Sequence, residues 1–355
     1  MASFLKRASS KKGIPAGTPI YVGKTEPLPT EVTLIQYEGK ISTITKLSLD
    51  TIEEQIKQHM PETGGWIQVA GLQNVDVIQK IGELLDINPL TIEDVLHTAQ
   101  RAKIDFFQHY AYLVLSAAKT STTTLKMTAF EQVSVIIKGN ILVTFQESHD
   151  PLIEHMQVYI DHFWSKSLVV DMGRLVYLLI DMIIDDYFAV IEHKAAVLEE
   201  IEEEIIGKED IKPENLYKIK RDILHLRKHV MNLRVVINLM IHEHQTFMKT
   251  INKVYLNDLR DHLTVILDSI EINRELNQSI LETYISSLEI KINDAMRLLT
   301  VFASIFIPLN FITSYYGMNF NLPELKWQHG ALFAGSIMFL VVVGLLSFYR
   351  KKKWI

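Results

Sequence analysis

The sequence predicts an α+β membrane protein: an N-terminal α/β domain, then a long helical region running into the first of two membrane-spanning helices. Three observations carry this. Leu298–Tyr316 and Ala331–Tyr349 are each 19 residues without a charge, enough to cross a hydrocarbon core of roughly 30 Å at about 1.5 Å per residue. Between Pro213 and Pro308 lie 94 residues with no Gly or Pro, a stretch without the residues that punctuate helices. Ahead of residue 168, β-branched runs alternate with short helical patterns.

Taken in order, residues 1–17 read as a basic tail with no apolar run after it, which predicts no signal peptide. Residues 18–168 form the α/β domain. Strands are expected at Pro19–Val22, Val32–Tyr37, Trp66–Val69, Ala111–Ala117, Glu131–Ile137 and Ile141–Gln146. The last two are joined through Gly139-Asn140, a hairpin signal. Helices are expected at Asp50–His59, Val75–Leu85 and Pro89–Leu96, where Pro89 suits a first turn.

Residues 169–297 form the helical region. Leu168–Ile206 has apolar residues at three-and-four spacing and an acidic end (Glu199, Glu200, Glu202, Glu203, Glu204), and Gly207 and Pro213 mark a turn. One helix across the next 94 residues would run about 140 Å, so a break is expected near His244–Lys253. The second helix continues into the membrane. Leu259, Leu263, Ile266, Ile270, Asn273, Asn277, Ile280, Tyr284, Ser287 and Lys291 keep the helical period. Asn, Ser and Lys in such a seam predict a wide, partly wet bundle of several copies rather than a dry two-stranded coil.

The membrane part divides into a first span at 298–318, a loop at 319–330, a second span at 331–349 and a basic tail at 350–355. The 12-residue loop Asn319–Gly330 holds one Lys, one Glu and one His, whereas Arg350-Lys351-Lys352-Lys353 follows the second span and Lys291 and Arg297 precede the first. Positive charge marks the cytoplasmic side, so both termini and the whole chain ahead of residue 298 are expected in the cytoplasm, at the inner or plasma membrane of a prokaryote.

Composition removes other functions. There is no cysteine, hence no thiolate metal site and no Cys nucleophile. The net charge is −6, and the basic residues are scattered or at the membrane edge, so nucleic acid is not an expected partner. No nucleophile–base set and no phosphate-binding GxxxxGK[ST] loop is present, so the chain reads as neither an enzyme nor an ATP-driven pump, and no organic cofactor is expected. His225 and His229, four apart on a helix, read as a solvated face; His242-Glu243-His244 lacks the HExxH spacing. The acidic Glu199–Glu204 run reads as a solvated helix end.

Continued into the membrane, the helical period gives Met296, Leu299, Ala303, Ile307, Asn310, Ser314 and Gly317 on one face. Its outer end offers a carboxamide and a hydroxyl, its inner end Met and Leu. One hairpin cannot enclose a pore, but several copies around an axis can. A polar outer ring above an apolar constriction is a plan for a channel gated by dewetting. The competing reading has Asn310 and Ser314 only joining helices.

The first span ends Tyr316-Gly317-Met318-Asn319-Phe320, followed by Pro323-Glu324-Leu325 and Trp327. With the terminal Lys-Lys-Lys-Trp, this resembles the signature of the CorA family of magnesium and cobalt transport proteins. Pro89-Leu90-Thr91-Ile92-Glu93-Asp94, Gln100-Arg101-Ala102-Lys103 and Asp185-Asp186-Tyr187-Phe188 resemble the family's cytoplasmic domain. The resemblance implies a homopentameric funnel that passes Mg²⁺, and also Co²⁺ and Ni²⁺. Gly317, Met318 and Asn319 would form a selectivity filter. Asn293, Met296, Leu299, Ile307 and Asn310 would line the conduction path, with Met296 and Leu299 as the gate. Asp94 and Asp258, with Glu93 and Asp181, would hold regulatory Mg²⁺ between protomers. The rivals are a zinc transporter of the same superfamily, against which Met318 argues, and a non-conducting membrane-anchored scaffold.

Overall fold

The computed structural model describes residues 13, 15–23, 26–37, 41–59, 64–119, 128–149, 152, 154–156, 158–159, 171–207, 211–243, 251–318 and 328–354. The elements are β1 (Glu31–Tyr37), β2 (Ile41–Leu47), α1 (Ile52–His59), β3 (Gly65–Ala70), α2 (Val75–Leu84), α3 (Pro89–Leu96), β4 (Lys103–Phe106), β5 (Ala111–Lys119), β6 (Ala129–Lys138) and β7 (Ile141–Gln146). Four helices follow: α4 (Met172–Ile206), α5 (Pro213–His242), α6 (Lys253–Tyr316) and α7 (Gly330–Lys351). They form two compact units, one of residues 1–204 with 210–278, the other of 205–209 with 279–355.

In the first unit all seven strands make one sheet in the order β2-β1-β3-β7-β6-β5-β4. Every pairing is antiparallel except β3 with β7, which is parallel. The Lys138–Ile141 pair closes the β6–β7 hairpin over Gly139, at φ +59°, a left-handed angle glycine adopts at no steric cost. Strand period two divides the sheet's side chains. Val32, Leu34, Ile67, Val69, Val143 and Phe145 point into a core shared with α1, α2 and α3. The neighbours on the opposite face include Trp66, 1% exposed, whose indole N–H donates to Thr144 Oγ1 at 2.9 Å. On that face Tyr187 of α4, fully buried, donates to the Ser116 carbonyl at 2.5 Å. Helix α5 runs beside β4.

Two helix starts follow the sequence rules. Asn74 Oδ1 accepts from Val77 N at 3.2 Å and caps α2; Asn88 Oδ1 accepts from Leu90 N at 2.9 Å and caps α3, with Pro89 in the first turn.

Four expectations are corrected. Pro19–Val22 is not a strand: a single bridge joins Val22 to His97. Strands β2 and β4 were not anticipated. The first part of the seam, from Leu259 to Asn277, is covered within the chain, whereas Tyr284 and Ser287 further along are half-buried and Lys291 is exposed. Leu259, Leu263, Ile266 and Ile270 are fully buried within the chain, and Asn277 Nδ2 donates to the Leu216 carbonyl of α5 at 3.3 Å. That carboxamide answers a helix carbonyl of the same protomer, whereas Asn273 Oδ1 is buried with no hydrogen-bond partner among the described residues. His225 and His229 are not a solvated face either. The His229 ring stacks on Phe130 at 3.9 Å and His225 tilts against it at 5.2 Å. The acidic stretch at the end of α4 is largely exposed, as expected. The break between α5 and α6 falls between His242 and Lys253; His244 lies outside the described residues.

Candidate cation site and membrane hairpin

The predicted acidic residues fall into two groups. Asp181 lies on α4; Asp258 and His262 are one turn apart on α6. One ligand atom from each of the three lies within 4.8 Å of the others. His262 Nδ1 stands 3.4 Å from Asp181 Oδ1, and Nε2 stands 3.8 Å from Asp258 Oδ1. Tyr177, one turn before Asp181, donates its hydroxyl to Asp258 Oδ2 at 2.9 Å. Asp181 Oδ1 and His262 Nδ1 are buried with no hydrogen-bond partner among the described residues. Burial, reinforced by the charge of Asp185 and opposed by His262, pushes the Asp181 carboxyl up to about 6. Two carboxylates and an imidazole, with inward atoms unsatisfied, suit a divalent cation: the oxygens serve Mg²⁺, and the nitrogen extends the set to Co²⁺ or Ni²⁺. His262 was missed from sequence, although its four-residue spacing from Asp258 puts both on one helical face.

Glu93 and Asp94 sit on α3 and have other partners. Glu93 Oε2 accepts from Gly17 N at 2.6 Å. Asp94 Oδ2 is 2.7 Å from Lys103 Nζ. Both border a recess of about 550 Å³ with His97, Gln100, Arg101 and Lys103.

In the second unit, two helices are long and apolar enough to cross a membrane: the end of α6 and all of α7. Each has one stripe drawn out of solvent. On α6 it is Val301, Ser304, Ile305, Pro308, Leu309, Ile312 and Tyr316; on α7 it is Ala334, Ile337, Met338, Val341, Val342, Leu345 and Tyr349. The stripes meet where Tyr349 donates its hydroxyl to Ser304 Oγ at 2.7 Å. At about 100° per residue, Met296, Leu299, Ile307 and Asn310 point away from the α6 stripe, and all four are exposed. Asn293 is exposed as well.

The tail of α7 braces this contact. Trp354 N donates to the Tyr349 carbonyl at 3.0 Å and Lys353 N to the Arg350 carbonyl at 3.2 Å. That pair of bonds is the Schellman helix end, with Lys353 (φ +55°) in the place glycine usually takes. It folds the Trp354 ring onto Tyr349 at 5.6 Å between centroids. The expected result for Tyr349→Phe is loss of about 0.6 kcal/mol, and at most about 2, from the hairpin. Thermal unfolding in detergent checks it; an unchanged midpoint would show the bond to be idle.

At the C-terminal end of α6, Gly317 N donates to the Thr313 carbonyl at 2.9 Å and Met318 N to the Tyr315 carbonyl at 3.4 Å. A Cβ on Gly317 would stand 3.1 Å from the Thr313 oxygen, so a side chain here would press on that carbonyl. Asn319 and the segment through Trp327 lie outside the described residues.

A sheet domain feeding a long helix, followed by a second apolar helix, defines the class: a membrane protein with a large N-terminal domain and a C-terminal hairpin. The comparisons with known proteins agree. The family described as CorA-like Mg²⁺ transporter protein matches residues 62–353. The cobalt/magnesium transport protein CorA of Thermotoga maritima is 32% identical over 358 residues, covering 99% of both chains. The complete structure of the CorA magnesium transporter from Methanocaldococcus jannaschii superposes with a TM-score of 0.73 at 18% identity, covering 92% of this chain and 99% of that one. The ZntB cytoplasmic domain from Vibrio parahaemolyticus shares the fold more distantly, with a TM-score of 0.56 at 10% identity over 74% of this chain and 99% of that domain. The chain belongs to the CorA-like Mg²⁺ transporter family.

Proposed function

We propose that this chain is one subunit of a homopentameric channel through which Mg²⁺ enters the cell passively, with Co²⁺ and Ni²⁺ as further substrates. The observation that carries this reading is the exposed face of α6. Helix α7 meets the stripe of Val301, Ser304 and Pro308, leaving Met296, Leu299, Ile307 and Asn310 available to surround a common axis. Gly317, Met318 and Asn319 form the outer filter. Mg²⁺ sheds its water reluctantly, so neutral carbonyl and carboxamide oxygens hold the hydrated ion without trapping it. A divalent ion gains about 4.6 kcal/mol crossing 100 mV inward, at roughly 2.3 per charge, which drives uptake without ATP. Both termini lie in the cytoplasm beneath a prokaryotic inner membrane. Cytoplasmic Mg²⁺ held at Asp94, Asp258, Glu93 and Asp181 keeps the pore closed by cancelling repulsion between carboxylates of neighbouring protomers; when Mg²⁺ falls, the helices splay.

The test is potential-driven Mg²⁺ influx into proteoliposomes loaded with a Mg²⁺-sensitive dye, comparing the wild-type chain with Asn319→Ala. Influx in the wild type, lost in a variant that still assembles, is the expected result. Zn²⁺ flux without Mg²⁺ flux would transfer the chain to zinc transport. No flux of either ion would leave a membrane-anchored scaffold.

A further inference from the structure

Asp94 is not a bare carboxylate waiting for a metal ion. Lys103 Nζ lies 2.7 Å from Asp94 Oδ2 and 2.6 Å from Asp105 Oδ2, so one ammonium is shared between a carboxylate on α3 and another on β4. Lys103 and Asp105 are two apart on the strand and therefore on the same face. Beneath the ammonium is the Tyr112 ring, 5.3 Å to its centroid. Burial tends to lower the Lys103 pKa, but Asp105 and Asp94 outweigh it and the net direction is upward, so the cation is permanent near neutral pH. It opens on the recess that Asp94 also lines.

We infer that Lys103 is a tethered counter-cation that competes with divalent cations for Asp94, and that Asp105 is the anchor to which its ammonium retires when a divalent cation arrives. The inference deepens, and rests on, the regulatory reading of Asp94 given above. Mg²⁺ approaching Asp94 meets a like charge within hydrogen-bond distance of the oxygen it needs. The two cations cannot share that oxygen without strong repulsion, so binding is an exchange. The exchange is feasible because the Lys103 and Asp94 side chains are 32% and 36% exposed, and pairs at that exposure are weak. It is also cheap for Lys103, which keeps its bond to Asp105. A tethered ion is present at constant local concentration, so it sets a threshold: Asp94 engages only when cytoplasmic Mg²⁺ outcompetes the ammonium.

Opposite shifts from the two neighbours of Asp94 test this. Full-length protein in proteoliposomes is assayed for Mg²⁺ flux against internal Mg²⁺. Lys103→Gln should lower the half-inhibiting concentration about fivefold, the factor expected for losing one half-exposed ion pair. Asp105→Asn should raise it, because the ammonium is then left with Asp94 alone. Lys103→Arg, which keeps the charge, should stay near the wild-type value and controls for damage to the fold. Asp94→Asn separates the two ideas. If it shifts inhibition while Lys103→Gln and Asp105→Asn shift it in the same direction or not at all, Lys103 is not a competitor and the regulatory reading survives. If Asp94→Asn leaves inhibition at the wild-type Mg²⁺ concentration, the regulatory reading fails and the competition fails with it.

Discussion

Asp222→Ala is expected to destabilise the sheet-bearing unit by about 3–5 kcal/mol, the scale for breaking a buried ion pair from one side. Asp222 is 2% exposed and Lys194 4%. Lys194 Nζ of α4 lies 2.7 Å from Asp222 Oδ2 of α5. Asp222 also accepts from Thr128 N and from Thr128 Oγ1, each at 3.0 Å. Thr128 stands immediately before β6, so one carboxylate ties both long helices to the sheet. Truncating it takes one carboxylate partner from a buried ammonium and the acceptor from a buried N–H, and a buried donor that loses its acceptor costs more than the bond contributed. The check is thermal unfolding of the purified chain, with a large fall in the midpoint expected. The double variant Lys194→Met with Asp222→Leu should recover much of the loss, because replacing both partners by apolar groups removes the desolvation penalty with the attraction. A midpoint for Asp222→Ala within a degree of wild type would mean that the pair contributes little.

Ser substitution at Met296 or Leu299 is expected to raise Mg²⁺ flux at inhibiting Mg²⁺ by about tenfold or more. An apolar ring narrow enough to shed water blocks ions without touching them, and a hydroxyl in the ring lets water stay. Tenfold in rate is only about 1.4 kcal/mol of barrier, less than one apolar side chain contributes when it leaves water. Met296 and Leu299 are 56% and 61% exposed on the face turned away from the α7 stripe. Phe339, 68% exposed on α7, supplies the control: Phe339→Ser should not raise the flux. The proteoliposome assay reads both, and a closed Met296→Ser channel would move the constriction elsewhere along α6.

Much of this was legible in the chain. The uncharged runs before Tyr316 and Tyr349 announce two spanning helices, because a bilayer demands length and apolarity whatever the rest of the fold does. The β6–β7 hairpin was legible in Gly139-Asn140 between β-branched runs, and α3 in Asn88-Pro89, because these signals act over a few residues. The period Met296–Gly317 named the exposed face of α6, since a helix fixes which side chains align before anything packs on it. Family membership was legible in Gly317-Met318-Asn319 together with its placement at the end of the first span.

What escaped was decided across the sequence. Strand β4, Lys103–Phe106, is only four residues with two charges, and it is a strand because β5 offers its edge along Ala111–Val114. Pro19–Val22 has strand-like residues but finds only His97 to pair with. The Leu259–Asn277 seam has the spacing of a bundle, and spacing cannot say whether the covering helix comes from another copy or from α5. His225 and His229 turned out to lie against Phe130, a residue on β6. The sequence by itself determined local matters: the spans, the periods, the hairpin and the signature, each governed by backbone geometry or by the bilayer. Only the tertiary structure decided the partners: Lys103 on Asp94, His262 beside Asp181, Lys194 under Asp222. Those pairings join residues from 9 to 81 positions apart, and only packing of the whole chain brings such groups within a bond of one another.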